Sequence, residues 1–546
     1  MRLLLALLVF AFPLHATLTS SAITGRVIAG DAPAAGVTVT VSSSALQHPR
    51  TTVTGPRGTY FLNALPPGTY DVTFSQAGMT TLTRRAIVEL GRVARADARL
   101  EPSEDEESVT STATQTSVAD TTAITSHFDD ATLDRLPGRD YAVIIAPDSF
   151  FPTVTEIDGT RPFIAGVALP EDQIEQVTVV RAAAPVEWES YGGRLLAMRT
   201  RSGAEQFFLS LRDTVSNGAW NDDAPGPLAT DDGLQNLLEA HGGGRIVPQR
   251  LWFFAALWDG DDATRYTRGQ RGGQVKLNAQ PGAAHHLDAI YLTGENGSGQ
   301  VLRADTWTAS LRYTGAFGPR YTTETMVTRH SSALSFQPQP GFPPTPVSRE
   351  RADTLSSRAS YVLGDHLLTA GLSAVSSRSF DGHSFYASDR WSAARWVVNA
   401  GLRYDDAPFS DGDFQPRIAA TYDLRGDGTR AISASWGEYA FGYSSAAPIH
   451  IATLGYAMAI GNSGSARIDY LRRGASFASG ESSLQLDTRY RLFDRFEAGA
   501  TYTYARNGDS SQHANAWIGA QLPVGAHEFG VTLLQRYYDA GTVAPT

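Results

Sequence analysis

The 546-residue chain contains no cysteine. Disulfides, thiolate metal sites and cysteine nucleophiles are therefore excluded, which suits an envelope protein that does not rely on oxidative folding. Long apolar runs are missing as well. No stretch in the body of the chain approaches the roughly 20 residues a spanning helix needs, and the mean hydropathy is −0.20. If the protein crosses a membrane, it does so as strands. There is no basic run of the kind that binds nucleic acid. The 45 basic and 56 acidic residues give a net charge of −11, spread along the chain as on a solvated surface. None of the twelve histidines stands in an H-x-x-E pattern, so a carboxypeptidase-type zinc site is absent.

What is present is glycine (51), tyrosine (21) and a start that reads as a secretory signal. Arg2 supplies the positive charge, Leu3 to Phe12 the short apolar run, and Pro13 ends it. Small residues suit cleavage after Ala16 or after Ala22, and the signal is taken as residues 1–22. From Ile23 to about Pro102 the residues alternate. Val37, Val39 and Val41 share one face of a strand, as do Tyr60 with Leu62, and Tyr70 with Val72 and Phe74. Turn residues at Gly30-Asp31, Pro56-Arg57-Gly58 and Pro66-Pro67-Gly68 separate these runs. The pattern predicts a small antiparallel β-sandwich over 23–102.

Beyond it, Glu101 to Glu107 is acidic and Ser108 to Thr125 is rich in Ser, Thr and Ala, with no apolar period. Residues 103–125 read as an extended linker. From about Ala204 to Thr546 the chain becomes a succession of segments of about ten residues that alternate, the signature of transmembrane strands. Trp396, Val398, Ala400, Leu402 and Tyr404 oppose Arg395, Asn399, Gly401 and Arg403. Leu484, Leu486, Thr488 and Tyr490 oppose Gln485, Asp487, Arg489 and Arg491. About 19 such strands fit between Gln206 and Tyr537. Leu251 to Trp258 fits less well, being apolar on both faces. The external loops must be mostly short, and Ser335 to Ser348, with five prolines, reads as the longest break. An open sheet would leave backbone groups unpaired in hydrocarbon, so spanning strands require closure.

These residues carry resemblances. Ile-Thr-Gly-Arg-Val at 23–27, Gly-Pro-Arg-Gly-Thr-Tyr-Phe at 55–61 and Leu-Pro-Pro-Gly-Thr-Tyr at 65–70 resemble the carboxypeptidase regulatory-like domain, which implies a transthyretin-like (carbohydrate-binding-like) sandwich. Sugar binding and a plain spacer role both stay open. Ile157-Asp158-Gly159, Ile174-Glu-Gln-Val-Thr-Val-Val, Tyr191-Gly192-Gly193 and Met198-Arg-Thr-Arg-Ser202-Gly203 follow one another in the order found in the plug of TonB-dependent receptors. Residues 126–203 would form that plug, a shortened one. Glu107-Ser108-Val109-Thr110-Ser111-Thr112-Ala113 resembles a TonB box, and reads equally as ordinary linker. Tyr386-Ala-Ser-Asp-Arg-Trp, Asn399-Ala-Gly-Leu-Arg-Tyr and Gln415-Pro-Arg-Ile-Ala-Ala-Thr-Tyr-Asp-Leu are similar to the Oar-like members. The resemblance implies a barrel of about 22 strands, so residues 204–546 would be a barrel truncated at its C-terminal end.

No catalytic constellation is found. His285-His286 reads as a strand end rather than a metal site. Asp222-Asp223, Asp231-Asp232 and Asp261-Asp262 fall between strands, as solvated loops or Ca²⁺ ligands. The expectation is an all-β outer-membrane receptor, with no enzymatic activity, cofactor or metal. Its partners would be a TonB-type periplasmic energy transducer at the box, outer-membrane lipid, and an extracellular ligand (a glycan or an oligopeptide). The sandwich would sit in the periplasm. A barrel-anchored adhesin and a non-functional paralogue are the competing readings.

Overall fold

A computed structural model describes residues 21–539 except 104–110, 114–117, 134–152, 161–168, 189–193, 218–233, 261–269, 299–301, 337–347, 378–380, 440–447, 475–479 and shorter gaps of one to four residues. The chain is nearly all β. In the first domain, β1 (Ser21–Ala29) pairs with β2 (Ala32–Pro33), β5 (Thr59–Leu65), β8 (Val93–Arg95) and β9 (Ala98–Leu100). A second sheet has β3 (Thr38–Ser42), β4 (Arg50–Val53), β6 (Gly68–Ser75) and β7 (Leu82–Val88) in the order β7-β6-β3-β4. The alternating residues Val37, Val39, Val41, Tyr60, Leu62, Tyr70, Val72 and Phe74 all turn inward and form one core. Tyr60 meets Phe74 edge to face at 5.7 Å, the orientation that aromatic quadrupoles favour. β1 takes in Ser21 and Ala22, paired with Leu65 and Val93. The folded domain thus starts ahead of the boundary read at Ala22, and cleavage after Ala16 would leave β1 whole.

A second sheet-forming unit holds β11 (Ile124–Asp129), β12 (Thr153–Ile157), β13 (Ile174–Ala182) and β14 (Arg194–Thr200) in the order β11-β13-β14-β12. Ile124 and Thr125, assigned to the linker by composition, already belong to β11. β12 runs parallel to β14, and the other pairs are antiparallel. This small sheet is buried on both faces. Val177, Val179 and Leu196 pack with Phe128 and Leu133 on one side. Val180, Ala182 and Leu195 pack on the other against Tyr439, Ile449, Ile451 and Leu471 of the large sheet.

That large sheet has nineteen antiparallel strands in sequence order, from β15 (Phe208–Asn217) to β33 (His527–Asp539). It wraps around the four-stranded unit. Outward positions carry exposed apolar side chains, among them Leu402, Ile418, Leu454, Leu486 and Tyr490, while inward positions carry buried polar ones such as Gln274, Arg403, Gln415 and Thr421. An apolar exterior over a polar interior is the arrangement a bilayer demands of strands. β17 (Leu251–Gly260) is apolar on both faces for a specific reason. Its inward Trp252, Phe254 and Trp258 are fully packed, and Trp258 touches Ile157 of the inner unit. The inward face there meets protein and not water.

The connections differ at the two ends. At one end they are short, such as 248–250, 283–284, 318–320, 364–365 and 424–429. At the other they include 261–269, 337–347 and, longest, 218–233 between β15 and β16 (Leu234–Val247). Both the 337–347 break read from the prolines and the 218–233 interval lie outside the described residues. The sandwich lies at the short-turn end, with β5 beside β20 (Leu302–Phe317) and β21 (Tyr321–Phe336). Short turns mark the periplasmic rim of such barrels.

Placing an arginine at Leu402, which sits mid-strand in β25 (Trp396–Ala407) and is 45% exposed, should destabilise the lipid-embedded sheet by about 2–4 kcal/mol. Urea titration of the protein folded into vesicles, read by heat-modifiable gel mobility, measures this. An unchanged midpoint would show that Leu402 does not face lipid.

Candidate functional site at the plug and barrel wall

The candidate site is where the inner sheet meets the barrel interior. Ile157-Asp158-Gly159-Thr160 forms a tight turn. Asp158 and Gly159 have φ of 48° and 82°, and Ile157 bridges Thr160. Two successive positive φ values characterise a type I′ turn, for which Asp-Gly is a favoured pair. The turn aims the Asp158 carboxylate at β14 and at the barrel. Asp158 accepts from the Thr200 amide at 3.2 Å and from the Thr200 hydroxyl. It also accepts from Lys276 Nζ at 3.2 Å. Lys276 lies on β18 (Gln270–Gly282) and donates in addition to the Thr200 carbonyl at 3.0 Å and to Thr200 Oγ1 at 3.3 Å. Its three donors thus meet three acceptors. Both ions are buried, Lys276 at 3% and Asp158 at 5% exposure.

Lys276 is the one lysine of the chain, and all the other basic residues are arginine. A planar guanidinium fork would not match this tetrahedral set of acceptors. Around the pair the wall continues in alternating charge. Arg312 donates to the Asp158 carbonyl and lies 3.6 Å from Glu324. Glu324 accepts from Arg358 at 2.7 Å, and Asp288 accepts from Asn278 at 2.6 Å.

Across the barrel a second clamp holds the segment after β13. Arg417, on β26 (Ser410–Asp423), donates to the carbonyls of Pro185 at 2.7 Å and Trp188 at 3.0 Å. Its guanidinium also stacks 4.2 Å from the Tyr439 ring. Arg403 donates to the Val186 carbonyl at 3.2 Å and to Asp405 at 2.7 Å. Farther round, Asp487, on β30 (Gly480–Leu492), accepts from Arg181 and Ser126 of the inner sheet, each at 3.0 Å.

The exit motif is placed by a close approach. A Cβ on Gly203 would lie 2.4 Å from the Phe253 carbonyl oxygen, so only glycine lets the chain pass that strand on its way into the barrel. Ser202 is half-buried beside it. Tyr191, Gly192 and Gly193 lie outside the described residues, as do Glu107, Ser108, Val109 and Thr110. The rest of the candidate box, Ser111–Ala113, is β10, added in parallel to β7 of the sandwich with Thr112 opposite Thr83. Five residues on, the Val118 amide donates to the Gly428 carbonyl of a short barrel turn at 2.8 Å. The sandwich itself abuts the plug, where Thr69 Oγ1 donates to Asp129 at 3.5 Å. Burial raises the Tyr70 phenol above its ordinary value, against the charges of Arg199 and Arg50.

Among the described residues no group of His, Asp and Glu is arranged to hold a metal. His286 instead pairs with Asp288 at 2.9 Å. The sequence reading found the Asp158 turn and the Gly203 exit, and it put Arg403 and Asp487 on inward faces. It missed Lys276, Arg312 and Arg417 as plug contacts. The sole-lysine count was the available signal for the first.

Comparison with known proteins agrees with this geometry. Residues 22–101 match the carboxypeptidase regulatory-like domain family. No curated protein matches in sequence. Among solved structures, the siderophore receptor PirA from Pseudomonas aeruginosa is 14% identical, with a TM-score of 0.59 over 76% of this chain and 90% of that one. The alcaligin outer-membrane receptor FauA from Bordetella pertussis is 13% identical, with a TM-score of 0.58 over 77% and 90%. The ferric citrate transporter FecA is 10% identical, with a TM-score of 0.56 over 76% and 89%. The fold is that of plugged outer-membrane receptors. The inner sheet is accordingly the plug, and the nineteen-stranded sheet is the barrel that holds it.

Replacing Lys276 by Met strands the Asp158 carboxylate in a buried site. Losing one partner of such a pair costs about 3–5 kcal/mol. The expected result is a plug that proteases nick at lower urea than in the parent protein, with the double variant K276M/D158N recovering most of the loss. K276R should not restore the parent midpoint. Full resistance of K276M would show that the pair does not hold the plug.

Proposed function

We propose that this chain is a TonB-dependent receptor of the outer membrane that takes up a polar organic ligand, a glycan or an oligopeptide, from outside the cell. The observation that carries the reading is a plug seated in a barrel by buried ionic contacts that can be undone and remade. Lys276-Asp158 on one wall and Arg417 on the other are such contacts. A permanent stopper would be served as well by an apolar interface, since replacing buried ion pairs by well-packed hydrophobic residues is often neutral or stabilising. The candidate box at 107–113 stands in sequence between the sandwich and the plug. Its described part, Ser111–Ala113, pairs with β7, and a periplasmic transducer that added the box as a strand to its own sheet would replace that pairing. The Oar-like motifs in the barrel strands support the same assignment at a finer level. The neighbours named for siderophores and ferric citrate are too distant in sequence to lend their ligands.

An adhesin that displays the sandwich would carry it at the long-loop end. Here the sandwich stands with the short turns, beside β20, β21 and the plug, which favours the receptor. Because the chain has no cysteine, Val53→Cys in the exposed edge of the sandwich would be a unique thiol. A membrane-impermeant maleimide should label it only after the outer membrane is permeabilised. Labelling in intact cells would place the sandwich outside.

Deleting residues 107–113 tests the energy coupling directly. The variant should still appear as a heat-modifiable barrel in outer-membrane fractions but should lose capture by the purified periplasmic domain of the transducer. Undiminished capture would rule out this box. A parent protein that yields no heat-modifiable species would instead point to a remnant.

A further inference from the structure

The plug meets two unlike walls, about eight strands apart around the barrel. Near β28 (Ile449–Ile460) the contact has a large apolar part, beside the buried polar side chains of Thr453, Asp469 and Arg473. Ile124, Val180, Ala182, Ala184, Trp188 and Leu195 interdigitate with Tyr439, Ile449, Ile451 and Leu471, and the Arg417 fork is filled by plug carbonyls and its own neighbours. Near β20 the wall is polar. Gln274, Lys276, Asn278, Thr306, Glu324 and Ser332 are all buried there. Ile157 against Trp258 and Leu292 is the one apolar cluster among the described residues on that side.

The polar wall is also incompletely satisfied. Oε1 of Gln274, Oδ1 of Asn278 and Oγ of Ser332 are buried without a hydrogen-bond partner among the described residues. The other wall has such an atom too, Oδ1 of Asp469 on β29 (Gly464–Gly474), so the contrast between the walls lies in packing and polarity. Parting an apolar, interdigitated surface exposes it to water at full cost. Parting a polar surface whose groups are under-satisfied lets water or a polar solute complete them, so the cost is offset.

From this asymmetry we infer that the plug stays anchored on the β27–β29 wall (Arg430–Gly474) and separates from the β18–β22 wall (Gln270–Leu363), which opens a passage lined by hydroxyls, amides and paired charges for a hydrophilic, hydrogen-bonding solute. The inference rests on the reading of the chain as a plugged uptake receptor and adds where the passage forms and what it accepts. In the closed state Lys276 is the fastener of the moving side. The lining carries both signs of charge, Lys276, Arg312 and Arg358 against Asp288 and Glu324, so it does not select an anion or a cation outright. It favours neutral or zwitterionic polar solutes, which exchange hydrogen bonds with the wall as they pass.

The sole lysine supplies the probe. In the full-length protein in lipid vesicles, Lys276 carries the only ε-amine, and acetylation by an N-hydroxysuccinimide ester reports its access to water. Ala182→Cys, nearly isosteric and buried in the apolar wall, reports the other side through maleimide. Ile451→Cys is a second reporter from the barrel face of the same contact. Urea is raised stepwise below the point where the barrel loses its heat-modifiable mobility, and both reactions are read by peptide mass spectrometry. Lys276 should become reactive at a lower urea concentration than either thiol. Simultaneous exposure, the reverse order, or a Lys276 that stays protected until the barrel itself unfolds would each overturn the inference. None of these outcomes depends on the transducer, so they are separable from a failure of the receptor reading, which the capture experiment decides.

Discussion

The barrel wall is governed by the requirement that a strand in hydrocarbon leave no backbone N–H or C=O unpaired. The strands from β16 to β32 (Asp509–Val524) meet it with a neighbour on each side, while the edge strands β15 and β33 are not paired with each other among the described residues. Strands that meet it must join side by side into a curved sheet, and a sheet of nineteen strands is too wide for its own side chains to fill. The interior therefore calls for a second folded body. The plug supplies it, and the plug's own small sheet is buried on both faces as a consequence. Val177 and Val179 look one way and Val180 and Ala182 the other, so β13 departs from simple alternation although it lies in a mixed sheet.

Filling the lumen with protein moves the polar interior of the barrel out of water. Side chains that would be solvated in an open pore must then find partners in the plug. Arg403, Arg417 and Asp487 do so through backbone carbonyls and through Arg181 and Ser126, and Lys276 does so through Asp158 and Thr200. These contacts orient the plug more than they stabilise it, because each charge must be desolvated before its partner returns the loss. Positioning by many small polar contacts is compatible with release, which a receptor needs and a structural plug does not.

The barrel strands and the sandwich were legible in the sequence because their patterns have period two and one buried face. Trp396 to Tyr404 and Val37 to Val41 show the same alternation, and in both cases the structure sets the apolar residues on the face that avoids water. β17 broke the pattern for a physical reason. Its inward Trp258 packs on Ile157 of the plug, Trp252 on the Gly203–Glu205 segment and Phe254 on Phe208 and His241, and nothing local in Leu251 to Trp258 signals a neighbour some hundred residues earlier in the chain. The Asp158-Gly159 turn was legible as a turn, since that pair favours positive φ, but its carboxylate's partner was not. Lys276 is 118 residues away, and a strand with one inward charge looks like any other strand with a wet face. Composition held the missing clue. In a chain that otherwise uses arginine for every cation, a single lysine marks a place where five fixed donors would not fit and three rotatable ones do.

That choice of cation bears on how the plug can move. An arginine in the same place would tie itself by several parallel hydrogen bonds and would give them up together. A lysine is a point charge on a flexible stem, able to surrender its acceptors singly and to remain solvated as each is lost. Opposite it, Arg417 takes the other role. Its fork spans the carbonyls of Pro185 and Trp188 while its face covers Tyr439 within an apolar bed. The side that should hold sets Arg417 among hydrophobic residues, and the side that should part sets Lys276 among amides and hydroxyls, with Arg312 beside it on the Asp158 carbonyl. The two walls thus differ in packing, one apolar and interdigitated and the other polar, and that difference favours opening on the polar side.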